Sequence, residues 1–124
     1  VRMPSLDQFE DIVLITETSE EIPEHDYVRR VYRAFGERGI LERVRAVQVG
    51  RPKAWEFDKP HSLTEKQDYR RRQVETTLAT VRHYNASIPV VQNLDFGHTH
   101  PQICLPYGAA VSIRNGSRSI RLHF

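Results

Sequence analysis

The stretch from residue 89 to residue 108, Pro-Val-Val-Gln-Asn-Leu-Asp-Phe-Gly-His-Thr-His-Pro-Gln-Ile-Cys-Leu-Pro-Tyr-Gly, constrains the fold more than any other. It begins as a buried strand. Pro89 is tolerated at a strand's first position, and Val90, Val91 and Leu94 are apolar and mostly β-favouring. The strand then runs out into Asp95-Phe96-Gly97-His98, where Gly97 permits backbone angles that a residue with a Cβ resists. The chain can turn sharply there and present His98 at the end of a rigid element. Pro101 and Pro106 stiffen the segment that follows, so the rest of the chain is arranged around a fixed imidazole.

Upstream, residues 1–10 read as a lead-in broken by Pro4. Ile12-Val13-Leu14-Ile15, within residues 11–16, is a continuous apolar run that predicts a strand buried on both faces. It ends at Glu17. Acidic Glu20, Glu21, Glu24 and Asp26 then cluster where a helix opens at Pro23 or Glu24, and the helix dipole favours negative charge there. Val28, Val31, Tyr32 and Phe35 follow the spacing of one buried helical face. Gly36 and Gly39 mark its end, and Ile40 and Leu41 are expected to pack back onto the core.

Residues 44–49 predict a second strand, closed by Gly50-Arg51-Pro52. Residues 53–63 read as a loop holding the single tryptophan, Trp55. A second helix is expected from about Thr64, with Thr64 and Gln67 as its capping box, Val74, Leu78 and Val81 as its apolar stripe, and Asn85 at its end. After the central stretch, residues 109–113 and 119–124 flank Asn115-Gly116-Ser117, a strong hairpin signal. Strands alternating with helices predict a single α/β domain, and the terminal hairpin predicts a mixed sheet.

Composition narrows the function classes. A chain of 124 residues suits one core. A net charge of +2, evenly spread, argues against nucleic acid as a partner. The single cysteine, Cys104, forms no internal disulfide and is compatible with a reducing cytoplasm, the expected location. No apolar run approaches the ~20 residues of a membrane span, and no signal-peptide pattern opens the chain. The chain starts at Val1, not Met, so the natural N-terminus is expected to lie upstream.

His98 reads either as a general base or as a histidine that caps a turn. Glu17 reads either as the carboxylate that orients His98 or as a cap for the helix beyond it. His98 and His100, two residues apart, also offer a two-histidine metal site in a non-catalytic binding module. That alternative needs further ligands, for which Asp95, Cys104 or His25 would have to be drafted. Asp95-Phe96-Gly97 matches a kinase tripeptide without any of the accompanying kinase motifs. No serine sits in a Gly-x-Ser-x-Gly elbow, and Cys104, between Ile103 and Leu105, reads as a buried core thiol. Arg70-Arg71-Arg72 is spread around a helix and does not form one patch, so it reads as a solvated face rather than a phosphate site. Trp55, in a charge-rich loop, reads either as a side chain that stacks on a ligand or partner or, more commonly for a lone loop tryptophan, as one closing over its own core. The residues thus provide a base and its orienter but no nucleophile, and call for no cofactor.

Asp95-Phe96-Gly97-His98-Thr99-x-Pro101, continuing to Leu105-Pro106-Tyr107-Gly108, resembles the catalytic-histidine segment of the LD-carboxypeptidase family of serine peptidases. The run from Ile12 through Glu17 to Glu21 resembles the segment carrying that family's catalytic glutamate. The acidic and serine residues after Glu17, with Phe-Gly-His-Thr, look closest to the microcin C immunity branch. Thr16 departs from the pattern, since many relatives carry an apolar residue there.

The resemblance implies a C-terminal domain of the swivelling β/β/α type spanning residues 1–124, with Glu17 and His98 as two members of a Ser-His-Glu triad. It implies a nucleophilic serine on a preceding N-terminal domain, so the isolated chain is expected to be inactive. The implied substrates are a peptide-like amide, such as the L,D bond of a murein peptide, or an aminoacyl nucleotide. A homodimer is implied for the full-length protein, and Trp55, Phe57, Leu63 and Tyr69 are candidates for its interface.

Overall fold

A computed structural model describes residues 4–124; the first three residues of the expected lead-in lie outside the described part. The elements follow in the order β1 (Val13–Thr16), α1 (His25–Glu37), β2 (Ala46–Gly50), α2 (Leu63–Tyr84), β3 (Val90–Leu94), β4 (Val111–Arg114) and β5 (Ser119–Leu122). A single 3₁₀ turn, Leu6–Phe9, precedes β1. The chain is an α/β domain. Its parallel and antiparallel pairings are divided between a three-stranded parallel sheet, β1-β2-β3, and a separate hairpin, β4-β5.

Two strand-helix-strand crossovers build the parallel sheet in sequence order. The helices α1 and α2 pack against each other, so both crossovers lie on the same side. The central strand β2 is buried along its whole length, whereas β1 and β3 are edges and only half-buried. The expectations that residues 11–16 form a strand buried on both faces and that residues 90–94 form a buried strand are therefore corrected: β1 and β3 are edges, and Ile12 before β1 is exposed. Val28, Tyr32, Ile40, Leu41, Val44, Val47, Val49, Val81 and Ile88 make the core. Ile40 and Leu41 pack into it as the sequence indicates.

The buried face of α2 is not the expected stripe. Gln73, Thr77 and Val81 are buried, at i, i+4 and i+8, while Leu78 is exposed. Two of these three are polar, so an apolar search reads the face one position off. Their polar atoms are only partly satisfied there: Gln73 Oε1 is buried without a partner. Gln73 Nε2 donates to the Pro23 carbonyl at 2.7 Å, and the Thr77 hydroxyl lies beside that of Tyr32. The capping box also shifts: Ser62 and Glu65 form it, with Glu65 N donating to Ser62 Oγ and Ser62 N donating to Glu65 Oε2. At the other end Asn85 caps the helix, donating through Nδ2 to the Leu41 carbonyl at 2.9 Å.

Gly36 is the last residue but one of α1 and Gly39, with φ +73°, follows its end, as the sequence indicates; a Cβ on Gly36 would meet the Tyr84 ring at 2.2 Å. This glycine sets how closely α1 approaches the end of α2. In the hairpin, Asn115 accepts from Arg118 N at 3.1 Å, closing the turn the sequence marks.

Candidate functional site

In a parallel sheet all strands end on the same edge, and ligands bind beyond that edge. Here the residues immediately following the three strands are Glu17 after β1, Arg51 after β2 and Asp95 after β3. Each is charged, and each is held by a partner.

Glu17 is fixed from behind by the end of β1. Thr16 Oγ1 and the Tyr32 hydroxyl are hydrogen-bonded at 2.5 Å, tying the last residue of the strand to α1. This gives the polar Thr16 a physical role at the strand's end. Burial pushes the Tyr32 hydroxyl up to about 12, so it stays neutral beside Thr16.

His98 reaches Glu17 although β1 and β3 are not neighbours, since β2 lies between them. The chain leaving β3 crosses over the end of β2. Gly50 makes the crossing possible: a Cβ there would lie 2.6 Å from the Phe96 carbonyl oxygen and 3.0 Å from its ring. The β2-β3 register shifts at this point, and Arg51 N donates to the Leu94 carbonyl at 2.8 Å. Phe96 is buried and anchors the crossing.

Gly97 follows with φ +93°, as its sequence context suggests, and a Cβ on it would lie 2.1 Å from Glu17 Oε2. The glycine serves the turn and also leaves the space that the carboxylate occupies. Gln102 Nε2 donates to the Gly97 carbonyl, and Ile103 N donates to the Asp95 carbonyl at 2.7 Å.

The outcome is a contact of 3.1 Å between His98 Nδ1 and Glu17 Oε2. Both side chains are about two-fifths exposed, at 42% and 41%. An ionised carboxylate only accepts, so Nδ1 carries the proton and donates, which leaves the lone pair on Nε2. An imidazole held in this tautomer can take a proton from a group presented to Nε2.

The pair opens into a cleft of about 650 Å³ whose wall also includes Glu20, Arg51, Lys53, Trp55, Arg70, Thr99, His100 and Gln102. Among the described residues lining it there is no serine and no cysteine. Thr99 is buried, with its hydroxyl lacking a partner. A second cavity, of about 630 Å³, lies on the other side of Glu17 between the β1 exit and the helices.

Several sequence expectations change here. Asp95 is paired with Arg51, whose Nη1 also donates to the His100 carbonyl at 3.5 Å, so Asp95 is committed to a structural ion pair. Cys104 is exposed rather than buried, because residues 101–110 form no regular element that would pack it inward. Trp55 is 41% exposed at the rim of the cleft rather than closed over the core, with Lys53 Nζ 4.4 Å from its ring centre. Arg70 leaves the solvated face assigned to its run and turns into the cleft, while Arg71 pairs with Asp68 and Glu75 on the surface. His25 sits at the start of α1 against Glu24 and Asp26. Among the described residues no group of three or more His, Cys, Asp or Glu side chains converges as a metal site. The Arg51–Asp95 pair is the feature that sequence reasoning missed, and its signal was the one used for Glu17: a charged residue directly after a strand.

Among the described residues no helix is long and apolar enough to cross a membrane. Residues 1–113 match the family model of the LD-carboxypeptidase C-terminal domain. Comparison with curated proteins gives no match. Among solved structures, the chain is similar to an MccF-like protein from Streptococcus pneumoniae in complex with AMP, with 24% identity and a TM-score of 0.75. The match covers 98% of this chain and 31% of that one, and at this identity it is a likeness of fold.

Proposed function

The chain belongs to the LD-carboxypeptidase C-terminal domain family, and from that premise we propose that Glu17 and His98 are two members of a Ser-His-Glu triad in a serine peptidase. One observation carries the reading: the 3.1 Å contact between His98 Nδ1 and Glu17 Oε2. Glu17 holds the imidazole, and Nε2 takes the serine proton as the hydroxyl attacks an amide carbonyl. The same nitrogen then returns that proton to the leaving amine, while Glu17 offsets the charge of the imidazolium. The serine comes from an N-terminal domain of the full-length protein, and residues 1–124 are the C-terminal domain. A cleft with no serine or cysteine among its described lining residues supports that division of labour. The isolated chain is accordingly inert.

The scissile bond is an amide near a chain end, either the L,D bond of a murein peptide or the link between an aminoacyl group and a nucleotide. AMP bound to the structurally similar pneumococcal protein favours the nucleotide class and the microcin C immunity branch. A cytoplasmic location and a two-fold homodimer complete the proposal. Phe57 and Leu63, 95% and 71% exposed, are available for an interface, whereas the Tyr69 hydroxyl is already bound to the Pro23 carbonyl. The test is a substrate panel of both amide classes on the full-length protein. Turnover of one class is expected; turnover of neither contradicts the proposal.

A further inference from the structure

The charges along the cleft do not cancel. Its cationic side chains are Arg51, Lys53 and Arg70, and its carboxylates are Glu17 and Glu20. Arg51 is neutralised by Asp95, and Glu17 is engaged with His98. Lys53 and Arg70 remain, facing Glu20 alone. Among the described residues neither forms an ion pair. Lys53 Nζ rests over the Trp55 ring at 4.4 Å, and Arg70 Nε donates to the Pro52 carbonyl at 3.4 Å.

Both contacts hold a cation in place without satisfying its charge. The aromatic face fixes the ammonium and removes part of its water. The Pro52 carbonyl takes one donor of the half-buried Arg70, leaving its terminal nitrogens for a bidentate partner. The two come from different elements, the β2 exit and α2, and meet at the wall that His98 and Glu17 also line.

We propose that Lys53 and Arg70 form an anion subsite that binds a carboxylate or phosphate group of the substrate beside the scissile amide. The proposal rests on the reading of Glu17 and His98 as reacting residues. Lys53 and Arg70 decide which substrates are held, and the cation pair selects for an anionic end over its neutral counterpart.

The experiment uses full-length protein and two probe pairs: an L,D-peptide with a free C-terminal carboxylate against its carboxamide, and AMP against adenosine as ligands. In Arg70→Gln and Lys53→Gln, selectivity for the charged member of at least one pair should fall roughly 10- to 100-fold, the worth of a charge-assisted hydrogen bond. Arg70→Lys should restore part of it. The responding pair identifies the anion as carboxylate or phosphate. If both variants keep the wild-type selectivity in both pairs, or lose charged and neutral probes equally, the subsite is refuted. His98→Ala separates this result from the triad. If that variant turns over substrate normally, the triad fails, and the subsite is judged on the AMP-to-adenosine binding ratio alone: a tenfold loss in Arg70→Gln supports it, and no change overturns it.

Discussion

At the scale of single residues, the site depends on glycines as much as on charged groups. Gly97 has both a left-handed φ and a neighbour, Glu17 Oε2, in the place where a Cβ would stand. Gly97→Ala should cost about 1–3 kcal/mol in backbone strain, read as a lower unfolding midpoint. It should also push the carboxylate out of line, and a misplacement of that size costs on the order of 100-fold in kcat. Kinetics of the full-length variant check this; a kcat within about threefold of wild type would refute the steric account. Glu17→Gln tests the charge separately. It keeps the shape but loses the anion that fixes the tautomer, and kcat should fall by about 10³ or more. The glycine's turn was legible in Gly97-His98. Its second role was not, because the residue filling the space is 80 positions away in the chain.

At the scale of elements, the α1-α2 contact makes two further predictions. Helix propensity alone says that Gly36→Ala should stabilise α1 by about 1 kcal/mol. The Tyr84 ring, with three atoms 2.2–2.4 Å from the new Cβ, says the opposite. Overpacking of this kind costs about 1–3 kcal/mol, so the variant should unfold at lower denaturant; a higher midpoint would show that Tyr84 moves aside freely.

The second prediction concerns alkaline pH. Burial pushes the Tyr32 hydroxyl up from its ordinary 10.0 to about 12 in the fold. The folded state therefore keeps the proton longer, so this contribution to stability is intact below pH ~10 and disappears as pH rises toward ~12. Burial pushes Tyr69 up to about 12 as well, so its contribution is lost in the same window. Tyr32→Phe should flatten part of the decline in unfolding free energy between pH ~9.5 and ~12; an unchanged slope would remove Tyr32 from the account. Element order and the hairpin could be read from periodicity and from Asn115-Gly116. The buried face of α2 could not, because two of its buried residues, Gln73 and Thr77, are polar, and Gln73 is held there by the Pro23 carbonyl. The half-burial of β1 follows from its place at the sheet edge, which an apolar run does not reveal.

At the scale of the molecule, the parallel sheet brings three strand-end charges to one edge, and the crossing over Gly50 closes Glu17 onto His98 across the central strand. The family was legible because its motifs fall on those strand ends. The cleft wall was not, since Lys53, Trp55 and Arg70 are gathered by the crossover and not by sequence spacing. Sedimentation of the full-length protein at micromolar concentration should show a dimer, and a clean monomer would refute that part of the proposal. The central claim is that His98, oriented by Glu17, moves the proton. Its most direct test is single-turnover kinetics of full-length His98→Ala on a substrate the wild type cleaves. A loss of roughly 10³-fold or more in the chemical step, with substrate affinity retained, is expected; a chemical step within a few-fold of wild type would rule His98 out as the base.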